Sequence, residues 1–68
     1  MPQMLHRLKA IREGKFITQE ELAAASGISV PTISRIERGQ ATRLTTARKL
    51  AAALGVEPSA LVGDARDG

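Results

Sequence analysis

The segment from Thr18 to Gly39, TQEELAAASGISVPTISRIERG, constrains this chain more than any other part of it. Thr18 and Glu21 have the spacing of a capping box, in which a hydroxyl and a carboxylate three residues apart satisfy free N–H groups at a helix start. Leu22 and the alanines after it give that helix a small apolar face. Gly27 ends it, because glycine enters the left-handed conformation beyond a helix without a Cβ clash. Ser29 then caps a second helix. Pro31 is tolerated there because it falls in the first turn, where the N–H groups lack intrahelical partners anyway. Ile33 and Ile36 point one way, which leaves Val30, Thr32, Ser34, Arg35 and Arg38 for solvent or a partner. Gly39 closes the unit.

The remainder of the chain predicts helices and no strand, since valine and isoleucine never alternate with polar residues in a period of two. A first helix is expected from about Pro2 to Glu13, with proline in its first turn, Gly14 as a stop, and Leu5, Leu8 and Ile11 sharing a face. A fourth helix ends at Leu54 with Gly55 beyond it. Its start is ambiguous, because Thr42 and Thr45 are both plausible caps, and its buried stripe is Ala47, Leu50, Ala51 and Leu54. A short fifth helix spans Pro58 to Val62 and stops at Gly63. The fold class is therefore all-α, five helices in one domain over residues 1–63, and residues 64–68 form a loose tail.

A chain of 68 residues is one domain, and one that buries only ~60% of its unfolded surface. No cysteine is present, so neither a disulfide nor a thiolate metal site contributes, and the chain fits a reducing compartment. Eleven of the apolar residues are alanine, which favours helix and close helix approach but adds little bulk. Bulk comes from Leu5, Leu8, Ile11, Ile17, Leu22, Ile28, Ile33, Ile36, Leu50, Leu54 and Leu61. No apolar run approaches the ~20 residues of a membrane span. The start lacks the basic and apolar segments of a secretory signal, so a cytoplasmic location is expected.

Charge is uneven. Residues 35–49 carry five cations against Glu37 alone, net +4, whereas residues 57–68 are net −2. A basic patch beside the second helix of the glycine-turn unit attracts phosphate, and a solvated basic face is the competing explanation. Two short helices joined by such a turn, the second with a polar outer face, form the arrangement whose second helix enters a DNA major groove. Chemistry of other kinds finds little support. His6 is followed closely by Arg7 and Lys9 and reads as a surface residue. Glu20 and Glu21 suit a helix start rather than paired acid–base work. Phe16, the sole aromatic, reads as a packing or dimer-edge residue, because single-strand binders stack bases on several aromatics. Phosphate loops, nucleophile–base pairs and metal-ligand clusters are missing from the sequence, so neither an enzyme nor a cofactor is expected.

Four fragments in order, TQEELA, SGIS, TISRIERG and LAAALGVEPSALVG, resemble the Cro/C1-type helix-turn-helix family (XRE-like, lambda-repressor-like), over about residues 4 to 63. The resemblance implies a compact five-helix domain that binds double-stranded DNA. It implies that Gln19 binds a phosphate and braces the third helix. Ser29, Val30, Pro31, Thr32, Ser34 and Arg35 would face the major groove, while Arg38, Gln40 and Arg43 would grip the backbone. Arg12 and Glu37 match positions that often form an internal ion pair in the family, which would tie the first helix to the third.

The chain departs from the commoner pattern at Val30 and Pro31, where polar side chains are frequent. Neither can hydrogen-bond a base edge, but both can pack on a thymine methyl. Hydrogen-bonded readout then falls mainly on Arg35, whose guanidinium fork matches guanine O6 and N7, with Ser34 adding a less selective bond. The expected function is a sequence-specific transcriptional regulator, a repressor acting as a homodimer on a palindromic operator. Leu44, Val56, Pro58 and Leu61 are the candidate dimer contacts, with core packing as their alternative. No small-molecule effector is expected to bind this chain. A protein-interaction module, such as an antitoxin or adaptor of helix-turn-helix type, is the alternative, and a piece of a longer regulator is a third possibility.

Overall fold

The computed structural model describes residues 2–63, so the tail expected at 64–68 lies outside the described residues. Five helices follow one another: α1 (Leu8–Gly14), α2 (Gln19–Ser26), α3 (Val30–Glu37), α4 (Leu44–Leu54) and α5 (Pro58–Val62). Each boundary within the central unit has a local cause. The Thr18 hydroxyl accepts from the Glu21 N–H at 3.0 Å, and the Thr18 N–H donates to the Glu21 carboxylate at 2.9 Å, so both arms of the capping box close. Gly27 ends α2 in the left-handed conformation at φ 78°. Ser29 caps α3 by accepting from the Thr32 N–H, and Pro31 lies in the first turn of that helix.

Packing places α4 at the centre, against α2 and α5, while α1 closes the bundle against α3 and α5 and α2 rests on α3. The buried stripe of α4 is Ala47, Leu50, Ala51 and Leu54, and these meet Leu5, Leu8, Leu22, Ile33, Ile36 and Leu61 in one core. Ile11, Ile17 and Ile28 lie partly buried at its margin. The alanines at 47 and 51 let the neighbouring helices approach α4 closely, so a short chain still builds a continuous interior.

Three expectations change. The first helix begins at Leu8 rather than near Pro2, and Gly14 is its last residue rather than a stop beyond it. Leu5 and Leu8 are both buried, but a tight turn links them, with the Leu8 N–H donating to the Leu5 carbonyl at 3.1 Å. A spacing of three is met by that turn as well as by a helix. Gln3 instead pairs with Thr42 in an antiparallel bridge. At α4 the cap is Arg43, which makes no side-chain capping bond, so neither Thr42 nor Thr45 serves. Phe16, expected as a packing or dimer-edge residue, is 93% exposed, so it does not pack within the chain.

Phe16 also holds a left-handed backbone at φ 58°, the one positive φ outside glycine among the described residues. A Cβ there crowds the carbonyl, at roughly 1–2 kcal/mol. Phe16→Gly is expected to raise unfolding stability by about 0.5–1 kcal/mol, the relieved strain less the entropy that glycine loses on folding. Urea titration of the two proteins measures this, and a less stable glycine variant would mean that the exposed ring supports the fold.

Candidate nucleic-acid interface

A rod that reads DNA must hold one face to the protein and leave the other unclaimed. Ile33 and Ile36 are buried and fix α3 to the core. On a helix of 3.6 residues per turn, positions 30, 31, 34, 35 and 38 fall together on the opposite side. Pro31, Arg35 and Arg38 are exposed there, while Val30, Ser34 and the flanking Thr32 are half-buried. Arg38 is the C-cap of α3, one residue before the Gly39 turn. Ser29 donates its hydroxyl to Thr32 Oγ1 at 2.9 Å, which ties the cap to the flank of the exposed face.

What orients this rod is a buried cluster at its far end. Glu37, the last residue of α3, receives Arg12 Nε at 2.7 Å and Nη2 at 3.1 Å in a two-pronged pair. Gln19 Nε2 adds a third bond to the same carboxylate at 3.0 Å. Arg12 Nη1 meanwhile donates to the Ile17 carbonyl at 2.7 Å. Arg12 is only 8% exposed, and no buried side-chain polar atom among the described residues lacks a partner. The hydrogen bond to Glu37 raises the Arg12 guanidinium above its ordinary value, against the opposing effect of burial. The cluster joins α1, the start of α2 and the end of α3.

Gln19 thus braces the third helix, as the resemblance implies, and still has a second amide N–H. Gln40 and Arg43 are exposed on the loop between α3 and α4. The Gln40 N–H donates to the Arg35 carbonyl at 3.0 Å, which folds the loop back over the end of α3. Among the described residues, Arg35, Arg38 and Arg43 have no ion-pair or side-chain hydrogen-bond partner. Three unclaimed guanidinium groups on one helix and the loop after it create a field that attracts a polyanion.

The candidate dimer residues divide. Leu44 is 42% exposed and lines a groove of ≈ 410 Å³ together with Pro58. Val56 is partly buried against the core and does not line that groove. Leu61 is corrected from contact to core: it has 0% exposure, and burial in the free chain leaves no surface for a partner. Sequence reasoning misses Gln3 on the groove wall, because the segment before α1 has the spacing of a helix, and it misses Val62 at the end of α5.

A helix-turn-helix family model matches residues 8–61, and the chain belongs to the Cro/C1-type helix-turn-helix family, a family of DNA-binding transcriptional regulators rather than enzymes. It is 39% identical over 59 residues to the immunity repressor protein of Bacillus phage phi105, covering 85% of this chain and 41% of the repressor. The chain thus spans about two fifths of the length of that relative. Two solved structures share the fold. The restriction-modification controller protein C.AhdI from Aeromonas hydrophila superposes with a TM-score of 0.79 at 37% identity, covering 85% of this chain and 89% of the controller. The hypothetical transcription factor NHTF from Neisseria gives 0.81 at 31% identity, covering 94% and 75%. No helix among the described residues is long and apolar enough to cross a membrane.

Proposed function

We propose that this chain is a sequence-specific repressor that binds double-stranded DNA as a homodimer on a palindromic operator. The observation that carries the reading is the unclaimed outer face of α3, held at a fixed angle by the Arg12–Glu37–Gln19 cluster. Val30 and Pro31 pack on thymine methyl groups, Arg35 reads guanine, and Ser34 adds a less selective bond. Ser29 and Thr32 set the start of α3 and lie beside the bases. Gln19, Arg38, Gln40 and Arg43 grip the phosphates, which fixes register without reading sequence. One protomer offers few base contacts, so selectivity comes from two half-sites about one helical turn apart. Leu44 and Pro58 join the protomers, and the bound dimer represses by occluding a promoter.

Selection of sites from randomised duplexes tests this directly. The expected product is an inverted repeat with a fixed spacing. Arg35→Ala is expected to lose discrimination at one guanine per half-site, worth about 1–3 kcal/mol. An unaltered motif from that variant would remove Arg35 from the readout, and no enriched site with the parent chain would end the proposal.

A further inference from the structure

The loop between α3 and α4 carries Gln40 and Arg43, yet little of its own holds it in place. Gly39 starts it with a left-handed backbone at φ 109°, and the Gln40 N–H returns to Arg35. From there to Leu44, the loop's middle is fixed by a different part of the chain. The Gln3 N–H donates to the Thr42 carbonyl at 2.6 Å, and the Thr42 N–H donates to the Gln3 carbonyl at 2.7 Å. Gln3 is itself moored. Two residues on, Leu5 is buried in the core, and the Arg7 N–H donates to the Leu61 carbonyl at 2.9 Å. Arg43 is the very next residue after Thr42 and caps α4 with no side-chain bond of its own.

We propose that residues 2–5 are a strap, with Gln3 a positioning residue that pins Thr42 and thereby aims Arg43 at the DNA backbone. The proposal rests on the reading that Arg43 grips a phosphate. A phosphate contact is a matter of placement: an arginine on a loose loop must lose conformational freedom when it binds, and one on a pinned loop has already lost it. The pairing with Thr42 is made by the main-chain N–H and carbonyl of Gln3, so alanine at position 3 keeps it.

The test compares the full chain with a variant lacking residues 1–4, which removes the Gln3 carbonyl that the Thr42 N–H donates to, and with Gln3→Ala, which keeps it. In the free proteins, the Thr42 amide is expected to exchange its hydrogen slowly in the full chain and in Gln3→Ala, and rapidly in the truncated chain. Equal exchange in all three would overturn the strap without reference to DNA. With a selected operator duplex, the truncated chain is expected to bind about tenfold more weakly with its site preference unchanged. Its salt slope is expected to be shallower by ~0.9 for each phosphate that it no longer neutralises. Arg43→Ala is expected to weaken the full chain but change the truncated one little, since coupled residues do not add. A full penalty for Arg43→Ala in the truncated background would overturn the proposal. Failure of the parent chain to bind any duplex would overturn instead the DNA reading beneath it.

Discussion

Glu37→Leu is expected to remove about 3 kcal/mol of unfolding stability, because it leaves the Arg12 guanidinium buried without its counter-charge. That figure is at the low end for breaking a buried pair, since an outer nitrogen of Arg12 also lies 3.9 Å from the exposed Glu13. A chain of 68 residues has roughly 3–10 kcal/mol in total, so the single variant gives up a third or more of its stability over most of that range. The double variant Arg12→Met with Glu37→Leu is expected to recover most of the loss, because an apolar pair of similar volume escapes the desolvation penalty of two ions. Gln19 would then lose its acceptor and turn outward to solvent. Urea denaturation of the parent, both single variants and the double variant measures the coupling. Additive losses would show that Arg12 and Glu37 act separately. DNA binding by the double variant, measured where it is fully folded, then reports whether the polar cluster orients α3 more exactingly than apolar packing does.

The second large effect is expected in salt. If Arg38 and Arg43 each meet one phosphate, a dimer neutralises four, and log affinity falls against log salt with a slope of about 3.6. Between about 50 and 200 mM salt, this amounts to roughly a 150-fold loss of affinity. Arg43→Ala is expected to weaken all duplexes alike and to reduce the slope by about 1.8, one phosphate for each protomer. Fluorescence anisotropy across a salt series with a selected operator and a scrambled duplex gives both quantities. A flat salt response would contradict the assignment of these arginines, as would an Arg43→Ala effect confined to the selected site.

The parts of this fold that are legible in the sequence are those with local causes. A hydroxyl and a carboxylate three residues apart specify the start of α2, and the glycines at 27 and 55 specify two helix ends, because their geometry depends on neighbours in the chain. The stripe Ala47, Leu50, Ala51 and Leu54 is legible for the same reason. The strap is not. Leu5, Leu8 and Ile11 have helical spacing, and only the pairing of Gln3 with a residue 39 positions away reveals an extended segment. No local pattern encodes such a partner. Phe16 escapes for a related reason: it holds the left-handed position at which the Ile17 N–H returns to the Arg12 carbonyl at the end of α1, a position that glycine usually marks in a sequence. The candidate interface is legible as the side of α3 opposite the buried Ile33 and Ile36, with Pro31, Arg35 and Arg38 exposed and Val30 and Ser34 half-buried. Of the dimer residues, Leu61 is misplaced because an apolar side chain looks the same in sequence whether it serves interior or contact.

The brace at the end of α3 has a consequence for how such a protein changes over time. Arg12, Gln19 and Glu37 settle the tilt of the helix, while Pro31 and Arg35 stand clear of the interior. On the proposed reading, the residues that set the tilt and those two that meet the bases are different ones. On that reading, substitution at Arg35 would respell the operator one letter at a time and leave the melting of the domain almost untouched.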